Sequence, residues 1–161
     1  EAMSISDMIV VMKLGVVQQI GKPQEVYDDP KNLFVAKFLG TPPINVFEGK
    51  VQGGKLMLGE DAVLDVAGVA DQDVIIGIRP EGFELDPNGS LQCQLSNVEV
   101  MGRDVSLVST NPASLNPVIR SIINADNKVD LTAGTVRYNV KPHKFFLFNK
   151  ESEERIRYEV K

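Results

Sequence analysis

The feature that most constrains this chain is a change of hydrophobic period at Gly40-Thr41-Pro42-Pro43. A Gly-x-Pro-Pro cluster interrupts helix and strand alike, because proline supplies no N–H and glycine no conformational bias. After it come nine short apolar-rich segments: 46–51, 55–58, 63–66, 74–79, 91–100, 104–109, 118–123, 135–140 and 145–148. Turn clusters separate them, such as Gln52-Gly53-Gly54, Asp86-Pro87-Asn88-Gly89 and residues 124–127. Strand-length runs at this spacing predict a small barrel or sandwich. No helix longer than about two turns is predicted after residue 43. The segment 111–117 (NPASLNP) is expected to be a mobile loop, since two prolines cannot donate to a ladder.

Before the boundary the pattern is mixed. Residues 8–12 (MIVVM) and 16–20 (VVQQI) flank a turn ending in Gly15, which predicts a β-hairpin. Pro23 suits the first turn of a helix, where its missing N–H costs nothing, so 23–27 is read as a short helix. Residues 32–39 (NLFVAKFL) suit an amphipathic helix with Gly40 as its C-cap. Residues 1–6 have helical composition.

With 17 basic and 22 acidic residues, the formal charge of the 161-residue chain is −5. A chain of this length buries a sizeable core without disulfides or metals. The acidic balance and the aromatic content of 6%, with no Trp, supply neither a basic groove nor stacking platforms, so no nucleic acid is expected as partner. The lone Cys93 excludes an intrachain disulfide and is read as a buried thiol in LQCQL. The lone His143, in Lys141-Pro142-His143-Lys144, has no nucleophile beside it and is read as a surface turn residue. The apolar runs are too short to span a bilayer, no signal peptide pattern is present, and a cytoplasmic setting is expected. The chain starts on Glu1 rather than Met and is read as a piece of a longer protein.

Motifs for chemistry fail one by one. Residues 15–22 (GVVQQIGK) place five residues between the glycines where a phosphate loop has four, and Pro23 stands where a hydroxyl is required. Asn88-Gly89-Ser90 is read as a turn. The acidic clusters 28–29 and 151–154 lack the regular ligand spacing of a calcium loop and are read as solvated surface. No catalytic, cofactor-binding or metal residue is assigned. Glu81 and Glu84 in RPEGFEL are read as partners in an ion pair with Arg79 or in a contact between domains.

Several strings carry a resemblance. They are Glu1-Ala2-Met3, residues 7–12 (DMIVVM), Gly15, Gln18-Gln19-Ile20-Gly21, residues 23–27 (PQEVY), Pro30, Phe34-Val35-Ala36, Phe38-Leu39-Gly40, Pro43 and Asn45. Together they resemble the segment just past the switch histidine in ATPase subunits of ABC importers of the maltose and multiple-sugar type. Residues 76–81 (IGIRPE) resemble a segment of that family's C-terminal regulatory (TOBE) domain, and Pro142, Lys144, Leu147 and Phe148 its terminal element. Met8 stands where the family pattern has Arg.

The resemblance implies a mainly β chain, α+β overall: residues 1–42 as the end of a nucleotide-binding domain, and residues 43–161 as an oligonucleotide-binding-like (OB-like) regulatory barrel. It implies a homodimer, membrane permease subunits as partners of the whole ATPase, a cytosolic regulatory protein as a further partner, and a location on the inner face of the membrane. ATP and Mg belong to the longer parent; the Walker, signature and switch-histidine motifs lie before Glu1 in family order, so none is expected to act here. Arg79, Pro80, Glu81, Pro43 and Asn45 are the candidate domain-interface residues. Two alternatives stand beside this reading: a barrel that senses an anion or small ligand, and an oligonucleotide-binding module. Apolar faces within residues 5–39 are expected to be covered by dimerisation or by folding back on the barrel.

Overall fold

The computed structural model describes residues 7–124 and 134–160. The helical reading of residues 1–6 and most of the turn expected at 124–127 lie outside them.

Strands β1 (Ile9–Lys13) and β2 (Val16–Gly21) form the expected antiparallel hairpin. Alternation sends Val11 inward and leaves Met8, Val10 and Met12 outward. Helix α1 (Pro23–Asp28) opens on its proline, and helix α2 (Leu33–Phe38) is capped by Asn32, whose Oδ1 accepts from Val35 N at 2.9 Å. Val11, Val26, Val35 and Leu39 close a small core between hairpin and helices.

The rest of the described chain is β. In order come β3 (Asn45–Gln52), β4 (Lys55–Leu58), β5 (Asp61–Ala67), β6 (Gln72–Ile78), β7 (Phe83–Leu85), β8 (Leu91–Met101), β9 (Asp104–Thr110), β10 (Ile119–Asn124), β11 (Thr135–Val140), β12 (Phe145–Asn149), β13 (Arg155–Ile156) and β14 (Glu159–Val160). One sheet runs β13-β12-β6-β3-β4-β5-β14, the other β10-β9-β8-β11-β7. All nine predicted strands are present, within about two residues at each end, the scatter usual for element boundaries. Strands β7, β13 and β14 were not predicted.

The two-residue strands close the larger sheet. β13 pairs with β12, Leu147 opposite Ile156, and β14 pairs with β5, Val160 opposite Val66. Only Arg157 and Tyr158 separate them, so three Cα steps join Ile156 to Glu159 and reach no further than about 11 Å. The two edges of the sheet therefore lie side by side, and the fold is a nearly closed, OB-like barrel. Tyr158 fixes the crossing by donating its hydroxyl to Phe145 O at 2.9 Å.

The main core lies between the sheets. Phe47, Leu56, Leu58, Ile76, Ile78, Phe145 and Leu147 meet Phe83, Leu91, Leu107, Ile119 and Tyr138 from the other side. β12 is buried on both faces: Phe145 and Leu147 enter this core, while Phe146 and Phe148 point the other way. Leaving two outward phenylalanines wet would forfeit roughly 1.5–3 kcal/mol each. Leu33 and Ala36 of α2, with Ile44, Val46 and Ile75, cover them instead. α2 thus packs on the outer face of the barrel because the barrel's own sequence is apolar there.

The segment 111–117 is not the loose loop expected. Glu48 N donates to Ala113 O and Leu115 N to Val46 O, both at 2.8 Å, and Asn116 Oδ1 accepts from Val46 N at 2.8 Å. Its prolines interrupt regular pairing, but the segment satisfies the side of β3 at residues 46–48 that β4 does not reach. The sequence Asn88-Gly89-Ser90 is a turn as predicted, and its glycine is required by contact: a Cβ there would lie 2.4 Å from the Tyr138 carbonyl carbon.

Candidate functional site

The site is built around Arg79, at the end of β6. Its side chain is fully buried, 0% exposed, although arginine is almost never so unless paired. The partners are carbonyls. Nη1 donates to Ala36 O at 2.8 Å and Leu39 O at 3.0 Å, and Nη2 donates to Tyr27 O at 2.8 Å. These are carbonyls at the C-terminal ends of α1 and α2, which lack intrahelical donors and carry partial negative charge. One guanidinium therefore caps both helices from the barrel side. Nε is buried without a partner.

Aromatic faces complete the packing. The guanidinium carbon sits 3.9 Å from the Tyr27 ring centroid and 5.6 Å from that of Phe146. Gly40 leaves room for this arrangement. At φ +105° it tolerates a backbone that other residues resist, and a Cβ there would lie 2.9 Å from Tyr27 Cε1. Gly40 does follow α2, as predicted, and it also serves the joint.

A charged rim surrounds the guanidinium. Tyr27 donates its hydroxyl to Glu81 Oε2 at 2.7 Å. Burial and the neighbouring Glu81 carboxylate hold the Tyr27 phenol well above its ordinary range. Lys144 Nζ lies 3.3 Å from Asp28 Oδ1 and 3.6 Å from Glu81 Oε2. Asp29 Oδ1 receives Arg155 at 3.0 Å and Arg157 at 2.5 Å, and Arg155 also donates to Pro30 O at 2.9 Å. Leu33 N donates to Glu153 O at 2.9 Å. The 151–154 cluster, read as surface from its side chains, thus also touches α2 through its backbone.

The five candidate residues divide. Arg79 reaches the ends of α1 and α2, and Glu81 reaches Tyr27 of α1; Pro80, between them, is buried at the start of the Pro80–Gly82 turn. The expected ion pair of Arg79 with Glu81 or Glu84 is not formed: Glu81 serves Tyr27 and Lys144, and Glu84 is exposed. Asn45 works elsewhere, inside the barrel. Its Nδ2 donates to Ile78 O at 3.1 Å and Arg120 O at 2.9 Å, and its Oδ1 accepts from Arg120 N at 2.9 Å. One buried amide so ties β3 and β6 to β10 of the other sheet. Pro43 is exposed. Tyr27 and Lys144 take part in the joint without having been singled out as site residues.

The segment 8–39 folds back on the barrel through its helices, as one branch of the expectation held. The outer hairpin face does not: Met8, Val10, Met12, Val17 and Ile20 remain exposed. His143 is exposed in the Pro142–Lys144 turn, and Cys93 is buried, its thiol pushed up to about 11 by desolvation. No group of three or more His, Cys, Asp and Glu that could hold a metal occurs among the described residues. No helix among them is long and apolar enough to cross a membrane.

A nearly closed barrel with two short helices capped onto its outer face places the chain among OB-like β-domains. Comparison with known proteins gives the family. Residues 45–85 match the CysA C-terminal regulatory domain. The chain is 32% identical over 158 residues to the sn-glycerol-3-phosphate import ATP-binding protein UgpC of Jannaschia sp., which covers 97% of this chain and 44% of the relative. It is 33% identical over 176 residues to the oligosaccharides import ATP-binding protein MsmX of Bacillus subtilis (98% and 46%). It is 34% identical over 172 residues to the osmoprotective compounds uptake ATP-binding protein GgtA of Synechocystis sp. (97% and 46%). The chain spans less than half the length of these relatives. The chain corresponds to the C-terminal regulatory part of the ATP-binding subunits of ABC importers.

Proposed function

We propose that this chain is the regulatory and dimerisation part of the ATP-binding subunit of an importer for sugars or related solutes. The observation that carries the reading is the Arg79 joint: a buried cation of the barrel caps the ends of α1 and α2. Such a joint makes helices and barrel one mechanical unit, so that a displacement of one is felt by the other. Residues 1–42 are the end of the nucleotide-binding domain and residues 43–161 the regulatory domain. Arg79, Pro80 and Glu81 form the contact between them; Asn45 stabilises the barrel behind it.

In this reading the chain itself turns over nothing. ATP and Mg belong to the nucleotide-binding domain of the longer subunit, which works as a homodimer with permease subunits on the inner face of the membrane. The exposed hairpin face of Met8, Val10, Met12, Val17 and Ile20 supports further contacts within such an assembly. The test is transport by the whole importer carrying Arg79→Met in its ATP-binding subunit. ATP hydrolysis that persists while its response to transported solute is lost supports the reading. Coupled transport at the unsubstituted level, with the variant subunit folded, overturns it.

A further inference from the structure

Beside the joint, a cavity of about 400 Å³ is lined by Asp28, His143, Phe146, Arg155, Arg157 and Tyr158, among others. The volume is that of a small-ligand site. Its wall is assembled from α1, the 142–144 turn and the C-terminal segment, so the cluster is not apparent along the chain. The floor is aromatic, with Arg155 stacked 4.6 Å from the Phe146 ring centroid.

The donors in this wall exceed the acceptors. Both arginines spend Nη1 on the single carboxylate of Asp29. Asp28, the other carboxylate, is held by Lys144. Among the described residues, the Nη2 groups of Arg155 and Arg157 and the imidazole of His143 have no hydrogen-bond partner. Three donor groups from two stretches of chain, beside an aromatic surface, match a phosphoryl group bearing a small carbon body: guanidinium forks fit its oxygens, and the body covers the rings.

We propose that this cavity binds a small organic phosphate monoester, with its phosphoryl oxygens on Arg155, Arg157 and His143 and its carbon part against Phe146 and Tyr158. The proposal does not rest on the joint's role in the importer. Occupancy would add contacts between α1 and the C-terminal segment, and so tighten the packing of helices on barrel.

The sole histidine gives a direct probe, because the chain yields one imidazole signal in NMR. Titration of the 161-residue chain with phenyl phosphate should move the His143 resonance saturably. Inorganic phosphate should act at least about tenfold more weakly, a difference of about 1.4 kcal/mol, and phenol should not act. Arg157→Gln, at an exposed position, should weaken phenyl phosphate at least about tenfold, and calorimetry on His143→Gln should show the same loss. An unmoved resonance overturns the proposal. So does undiminished binding in either variant, or inorganic phosphate binding as tightly as the ester.

Discussion

The guanidinium of Arg79 stacks on the Tyr27 ring at 3.9 Å and donates to the carbonyl of the same residue at 2.8 Å. Side chain and backbone of one helical residue are thus read by one cation. Stacking and hydrogen bond together fix α1 against the end of β6.

Arg79→Met keeps the apolar stem and removes every donor. Three carbonyls lose a charged partner, and the expected cost is about 3 kcal/mol or more. Denaturant unfolding measures it. Hydrogen exchange should show α1 and α2 opening before the barrel strands; uniform loss of protection would show that helices and barrel unfold as one unit.

Asn45→Ala removes one buried amide and three hydrogen bonds, leaving Ile78 O and both backbone groups of Arg120 short of partners. A loss of about 2–3 kcal/mol is expected. Its effect on exchange should be the reverse of that of Arg79→Met, with β3 and β10 opening first.

Cys93 should react slowly with a thiol reagent at pH 8 in the folded chain. Its thiol is buried, with a pKa of about 11, so the thiolate is scarce and screened. Denaturant should restore the rate of a free thiol. Full labelling at native conditions within the denatured time course would contradict the placement.

The Asp29 pair gives a pH dependence. Its hydrogen bond to Arg157 and the nearby Arg155 hold the carboxyl below its ordinary value of 3.8. A folded-state value below the unfolded one stabilises the protein above pH 3.8, and that stability is lost as pH falls through the folded value. The pair is half exposed, so the effect is at most about 1 kcal/mol. Asp29→Asn should flatten this part of the stability profile below pH 3.8; an unchanged slope would assign the acid response to other carboxylates.

The strands were legible where apolar residues recur over four or more positions, as in 46–51 or 145–148, because burial imposes that recurrence. β13 and β14 were not, since a two-residue strand holds no period and Arg155-Ile156 or Glu159-Val160 carries no strand signature. β7, three residues directly after Pro80-Glu81-Gly82, is likewise too short to show a period. Arg79 and Glu81 stood out as a motif, yet their partners could not be named. A carbonyl acceptor belongs to every residue, so nothing in the letters marks Ala36 or Leu39 as a ligand of an arginine. The phosphate-binding cluster was equally hidden, because His143 and Arg157 are brought together only by the crossing of the C-terminal segment.

That crossing has a consequence for the order of events during synthesis. Val66 meets Val160 across almost the whole barrel sequence, and Ile76 meets Leu147. Such distant pairings are slow to form, and they cannot begin before both partners exist. While the ribosome still holds residues 155–160, the free edges of β5 and β12 are templates for any neighbouring chain. The hazard falls on nascent chains, whose β5 edge stays without its partner until residues 159–160 have been made.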